Sequence, residues 1–134
     1  MTEGNKKENI KAHLDKASKF LEQADMLYNS DSFDGAVSRL YYFLLHTVRA
    51  LLLTKGLEPK SHDGVLRVFG QYFVKEGVFE PKDSHFFARL MKYREEADYN
   101  PVYIFTQEDL IEFRKEAEVM SDKIKGYLKQ NGYA

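Results

Sequence analysis

Apolar residues recur every three or four positions through most of the chain, which is the period of amphipathic helices. The first such segment runs from Ile10 to Tyr28 and stops at a polar cluster, residues 29–32, whose side chains can cap the next helix. The second predicted helix runs from about Phe33 to Lys55 and ends at Gly56, a residue type favoured just after a helix. Its apolar positions cover a wide arc, so we expect a central helix packed on more than one side.

Three further helices are predicted downstream. The third, capped by Ser61, extends from about His62 to Glu76, and the fourth extends from Pro81 to about Asp98. The fifth follows Thr106, which begins a variant of the capping box. Residues 102–105 are short and apolar, but no partner strand is visible elsewhere in the chain, so we interpret them as a packed loop.

The composition agrees with one soluble globular domain over residues 1–134. Hydrophobic residues make up 43% of the chain and charged residues 31%, and no low-complexity linker divides it. Short connections between helices make most neighbours antiparallel. The predicted fold is therefore all-α, an antiparallel helical bundle of about five helices.

Charge and cysteine content narrow the possible functions. The net charge is −1, so any nucleotide or RNA site has to be a local patch rather than a property of the whole surface. The absence of cysteine excludes disulfides and thiolate metal sites and fits a reducing cytosol. The polar N-terminus is unlike a signal peptide, and no apolar run is long enough to span a bilayer. We therefore expect a cytoplasmic protein without a membrane segment.

The first candidate site lies on the second helix. Arg39 and His46 are seven residues apart and share a helix face, with Tyr42 between them. Together they could hold an anion against an aromatic surface, as a nucleotide site requires. The alternative is that Arg39 pairs with a carboxylate and His46 is an ordinary buried or interface histidine.

The second candidate is the start of the third helix. Lys60 and His62 flank the capping Ser61, where free N–H groups and the positive helix end converge. This arrangement is a plausible phosphate site, and it is equally typical of an ordinary capped helix.

The third candidate closes the fourth helix. Arg94 and Asp98 have the spacing of an intrahelical ion pair, and Tyr99 follows directly. Arg94 is a candidate phosphate ligand with Asp98 and Tyr99 as its polar neighbours. The alternative is a surface ion pair worth only tenths of a kcal/mol.

Other familiar sites are absent from the sequence. No P-loop, dinucleotide-binding or H-E-x-x-H motif occurs, and the four histidines are scattered. We therefore predict no metal and no cofactor.

Four short motifs occur in order and resemble one protein family. They are A-x-x-R-x-Y-Y from Ala36, G-L-x-P-K-S-H-x-G-V from Gly56, F-V-K-x-G from Phe73 and R-x-x-x-D-Y from Arg94. This series is similar to HEPN-domain proteins, small prokaryotic helical proteins. The resemblance implies a bundle of four long helices and a shorter one, usually dimeric. It also implies a minimal nucleotidyltransferase as partner in a toxin–antitoxin-like or nucleotide-handling pair.

Many HEPN proteins are metal-independent ribonucleases, and the sequence departs from their signature. That signature is an Arg and a His separated by four to six residues, whereas the matching positions after Arg94 hold Tyr99, Asn100 and Pro101. Asp98 cannot replace a protonated imidazole near neutral pH. In members that receive AMP groups from the partner enzyme on a tyrosine, the nearest counterpart here is Tyr99.

Three functions therefore remain open. The favoured hypothesis is a homodimeric HEPN protein that binds nucleotide or RNA and acts with a minimal nucleotidyltransferase. The alternatives are a metal-independent endoribonuclease toxin and a non-catalytic helical adaptor. For the favoured hypothesis we expect five side chains to gather in one cleft: Arg39, Lys60, His62, Arg94 and Asp98.

Overall fold

The computed structural model describes residues 2–133 and contains helices and loops only in that part of the chain. The five α-helices are α1 (Glu3–Asn29), α2 (Phe33–Leu53), α3 (His62–Phe69), α4 (Pro81–Tyr99) and α5 (Gln107–Gln130). The predicted all-α helical bundle is confirmed.

Helix α2 is the centre of the bundle, and all four other helices pack against it. Most of its residues are buried, and Leu40, Leu44, Leu51 and Leu52 are at most 1% exposed. An apolar surface on every side can be buried only by neighbours on every side, which explains why the least polar helix is the central one.

The predicted caps form where the third and fifth helices begin. Ser61 Oγ accepts a hydrogen bond from the Gly64 backbone N–H at 2.9 Å. Thr106 and Asp109 satisfy each other's backbone N–H groups in a reciprocal capping box. These bonds fix the first residues of α3 and α5, and the α3 cap matters most because it positions His62.

The third helix differs from its predicted form. Its α-helical part ends at Phe69 and continues as a π-helical turn, Gly70–Val74, in place of one α-helix reaching Glu76. The wider turn accompanies a cluster in which the rings of Phe69, Phe73 and Phe79 contact one another. Hydrophobic periodicity does not distinguish a π turn from an α turn, so the sequence could not predict this change.

The loop between α4 and α5 is packed at one end only. Phe105 is 4% exposed and contacts the rings of Tyr93 and Phe113. Val102 and Ile104, by contrast, are 82% and 81% exposed. Phe105 thus anchors a loop that presents two aliphatic side chains to solvent.

Within residues 2–133, none of the helices combines the length and hydrophobicity that a membrane span requires.

Shortening a core side chain of α2 should be costly. We expect Leu44→Ala to lower the free energy of unfolding by about 2 to 5 kcal/mol, because Leu44 is fully buried and its loss leaves a cavity. The matched change Ile104→Ala, at an exposed loop position, should stay within about 0.5 kcal/mol. Chemical denaturation measures both, and equal effects would contradict the central position of α2.

Candidate functional site

Arg94 is a buried arginine braced by two aromatic rings of α2. Its side chain is 10% exposed. The guanidinium carbon lies 5.2 Å from the ring centroid of Tyr41 and 5.9 Å from that of Tyr42. Burying a charge is costly, and the negative faces of the two rings recover part of that cost. The packing of α4 on α2 therefore holds a cation at a defined place.

His62, at the first position of α3, contacts this arginine directly. Its Nδ1 lies 3.1 Å from Arg94 Nη2. A guanidinium group only donates hydrogen bonds, so Nδ1 is the acceptor and the neutral ring carries its proton on Nε2. Burial lowers the pKa of His62, as do the positive charges of Arg94 and Arg49, while Asp63 and Glu95 oppose the change. His62 therefore presents an N–H donor beside the arginine near neutral pH.

Asp98, one turn further along α4, lies beside Arg94 as well. Its carboxylate lies 3.6 Å from Arg94 Nη1, and its side chain is 27% exposed. At this distance the carboxylate balances part of the positive charge without a short hydrogen bond. Asp98 therefore leaves part of the hydrogen-bonding capacity of Arg94 unused.

Two buried polar atoms of this group lack a hydrogen-bond partner among the described residues. They are Arg94 Nε and the Tyr41 hydroxyl. Burial raises the pKa of the Tyr41 hydroxyl, which keeps it protonated and a donor. Unpaired buried donors are rare in folded proteins because each forfeits a bond that water would supply. Arg94, Tyr41 and His62 thus form a set of donors suited to an oxyanion.

His46 belongs to a second cluster between α1 and α2. Its Nδ1 lies 3.0 Å from Nδ1 of His13, and its ring stacks on Phe20 at 5.6 Å. Tyr42 links the two clusters, since its ring contacts both Phe20 and His62. His13 and Phe20 were not predicted as site residues, although their spacing of seven places them on one face of α1.

The described contacts of the remaining predicted residues do not include Arg94. Arg39 Nε donates to the Gln23 side chain of α1 at 3.0 Å. The Lys60 side chain is exposed, and its backbone carbonyl accepts a bond from Arg49 Nη2 at 3.3 Å. Tyr99 is 76% exposed.

Of the five residues expected in one cleft, the described contacts join His62, Arg94 and Asp98. Arg39 faces α1 instead, one turn before Tyr42. Arg49 is a further residue of this region that was not predicted from the sequence. Its Nη1 donates a hydrogen bond to the Pro59 carbonyl at 2.7 Å. It ties the connector before α3 to α2 and so helps to place His62.

No group of three or more histidine, aspartate or glutamate side chains within residues 2–133 is arranged to hold a metal ion.

The histidine pair should make stability depend on pH. Burial, and then the charges of His13 and Arg49, lower the pKa of His46 from 6.5 to about 4. Between these values the unfolded chain binds the proton more readily, so His46 should reduce stability progressively as pH falls from about 6.5 towards 4. Chemical denaturation at a series of pH values measures this effect. The free energy of unfolding should fall less with decreasing pH in His46→Asn than in the unchanged protein.

His85→Asn is the matched control, because His85 is exposed on α4. The free energy of unfolding of this variant should change with pH as it does in the unchanged protein, between about pH 6.5 and 4. A pH dependence that survives His46→Asn unaltered would contradict the assignment.

Comparison with known proteins agrees with the fold and the motifs. Residues 10–127 match the HEPN domain. The chain is 35% identical over 122 residues to a Methanocaldococcus jannaschii protein named "Putative toxin MJ0142", covering 91% of this chain and 83% of the relative. It is 38% identical over 124 residues to "Putative toxin MJ0605" of the same organism, covering 92% of each. A "UPF0332 protein" of Thermotoga maritima is 34% identical over 110 residues, covering 82% of this chain and 83% of the relative. The chain belongs to the HEPN domain family.

Proposed function

We propose that this HEPN protein is the toxin-like member of a two-protein pair and binds nucleotide or RNA through a phosphate group at Arg94. Two of its relatives are named as toxins, which supports the first part. The site around Arg94 supports the second part. The proposed partner is a minimal nucleotidyltransferase, and the proposed assembly includes a homodimer.

The observation that carries the proposal is the buried guanidinium with unused hydrogen-bonding capacity. Among the described residues, 2–133, Arg94 Nε has no hydrogen-bond partner. The Nη atoms contact one imidazole, at 3.1 Å, and one carboxylate, at 3.6 Å. A phosphate oxygen accepts strong bonds from such a donor set, and the rings of Tyr41 and Tyr42 hold the guanidinium in place.

The charges around the site are mixed. Arg94 and Arg49 act on His62 as positive charges, and Asp63 and Glu95 act on it as negative charges. The donors around Arg94, rather than an excess of positive charge, therefore support the binding of an anion.

The contact between His62 and Arg94 favours a second candidate function, a metal-independent endoribonuclease. A histidine from α3, rather than one that follows Arg94 in the chain, lies next to the arginine. However, Nδ1 of His62 is occupied by Arg94, and Nε2 of the neutral ring already carries a proton. The ring can donate a hydrogen bond in this state, but it cannot remove a proton from a 2′-hydroxyl. Binding without efficient cleavage therefore remains the favoured function.

The loop beside the site supports an interaction with another protein. Tyr99, Val102 and Ile104 are each more than 75% exposed, although Phe105 anchors their loop. Exposed apolar side chains on an anchored loop are typical of a contact surface. The exposed Tyr99 hydroxyl would also be accessible to a nucleotidyltransferase.

Replacing Arg94 should weaken binding of a labelled single-stranded RNA and of adenosine monophosphate. We expect Arg94→Ala to reduce affinity about ten- to hundredfold, the loss typical of one charge-assisted hydrogen-bonded contact. Arg94→Lys should recover only part of it, because lysine lacks the planar fork. Fluorescence anisotropy measures RNA binding, and thermal unfolding verifies that each variant is folded.

Arg89→Ala is the matched control, since Arg89 lies on the same helix and pairs with Glu116 instead. Its affinity should equal that of the unchanged protein, and equal losses at Arg89 and Arg94 would refute the site. The same proteins incubated with the RNA in EDTA decide between the two functions. Robust cleavage that disappears in Arg94→Ala or His62→Ala would establish the ribonuclease instead.

A further inference from the structure

Asp98 is a carboxylate that lies beside the Arg94 guanidinium without a short hydrogen bond to it. Its Oδ2 is 3.6 Å from Arg94 Nη1, and within residues 2–133 this ion pair is the only polar contact of the Asp98 side chain. Hydrogen bonds between such charged groups are about 2.7 to 2.9 Å long. The Asp98 side chain is 27% exposed, whereas that of Arg94 is 10% exposed. Asp98 is therefore an acceptor with unused capacity that a ligand can reach.

The neighbouring carboxylates on α4 do not share this position. Glu96 accepts a hydrogen bond from the Asn100 side chain at 2.7 Å. Glu95 is next to Arg94 in the chain but forms no ion pair with it in the described part of the protein. Of the carboxylates in residues 2–133, only that of Asp98 pairs with Arg94. A ligand bound to this arginine would therefore meet Asp98.

The two terminal nitrogens of Arg94 have different neighbours. Nη2 lies 3.1 Å from Nδ1 of His62, whose other ring nitrogen carries the proton. Nη1 lies 3.6 Å from the Asp98 carboxylate. The site thus presents N–H donors on its histidine side and an acceptor on its aspartate side. A complementary ligand has an anionic acceptor and, next to it, a hydrogen-bond donor.

The carboxylate has an energetic consequence for a phosphate at this arginine. Two negative charges so close together repel, so Asp98 by itself weakens the binding of a bare phosphate. A ligand hydroxyl that donates to Asp98 offsets the repulsion, because a hydrogen bond to a charged group is stronger than one between neutral groups. Since Asp98 lies beside the guanidinium, this hydroxyl has to be adjacent to the phosphate within the ligand.

We propose that Asp98 is a specificity-determining residue, which accepts a hydrogen bond from the ribose 2′-hydroxyl of a ligand whose 3′-phosphate is bound at Arg94. Adjacent carbons of the ribose carry these two groups, so one ligand supplies both of them side by side. DNA lacks the 2′-hydroxyl, and a 5′-phosphate is farther from it. The inference rests on the proposed function, because it requires a phosphate at Arg94.

The test compares two nucleotides that differ only in this hydroxyl, adenosine 3′-monophosphate and 2′-deoxyadenosine 3′-monophosphate. NMR titration of the full chain near neutral pH measures both affinities. We expect the ribonucleotide to bind about tenfold more tightly, which is the effect of one hydrogen bond to a charged group. Asp98→Ala should make the two affinities equal, because the acceptor is gone. Asp98→Asn preserves the shape of the side chain and should lower the preference, because a neutral amide accepts a weaker bond.

Glu95→Ala is the matched control. It removes one negative charge from the same helix without removing a contact to Arg94. The preference for the ribonucleotide should be the same in this variant as in the unchanged protein. A preference that falls equally in Glu95→Ala and Asp98→Ala would reflect only the overall charge and would overturn the assignment.

The other outcomes separate this inference from the proposed function. Equal affinities in the unchanged protein, or a preference that survives in the Asp98 variants, would mean that Asp98 only balances the charge of Arg94. Phosphate binding at Arg94 would then stand. If neither nucleotide binds, or if both bind as well to Arg94→Ala, the proposed function is refuted and the inference fails with it.

Discussion

The burial of the Arg94 guanidinium in an otherwise apolar bundle is the constraint on which the site depends. A charge removed from water is tolerated only when neighbouring groups replace its hydration. Here the replacements come from three helices: the rings of Tyr41 and Tyr42 on α2, His62 at the start of α3, and Asp98 on α4 itself.

Two contacts elsewhere in the fold hold His62 in position next to Arg94. The Ser61 cap fixes the first turn of α3, and Arg49 ties the preceding connector to α2. Together they hold His62 against Arg94 although the two residues are 32 positions apart in the chain. The compensation is incomplete, because Arg94 Nε and the Tyr41 hydroxyl have no hydrogen-bond partner within residues 2–133. These unpaired donors support the proposal that Arg94 binds an anion.

Features that depend on local periodicity and capping could be predicted from the sequence. They are the five helices, the central position of α2, the Ser61 and Thr106 caps, and the spacing that brings Arg94 and Asp98 together. The sequence could not predict the π turn at Gly70–Val74, whose residues fit either helical form. It also predicted a packed loop where Val102 and Ile104 lie exposed, because apolar character alone does not reveal burial.

Some contacts of the candidate site could likewise be predicted from the sequence, and others could not. Contacts within a helix follow from spacing, whereas His62 with Arg94 and His13 with His46 depend on how helices pack. The placement of Arg39 illustrates the limit, because its side chain bonds to Gln23 on α1 rather than facing Arg94. The histidine that contacts Arg94 in this chain comes from another helix, α3.

The most direct test of the account is the NMR signal of the Arg94 Nε–H group. In the free protein this proton is buried and has no hydrogen-bond partner within residues 2–133, so its exchange with water should be slow. Addition of adenosine monophosphate should shift the signal, because a phosphate group bound to the guanidinium changes the charge around this N–H and its position, and the exposed Arg67 should not respond. An Arg94 signal that stays unchanged at saturating nucleotide would contradict the account.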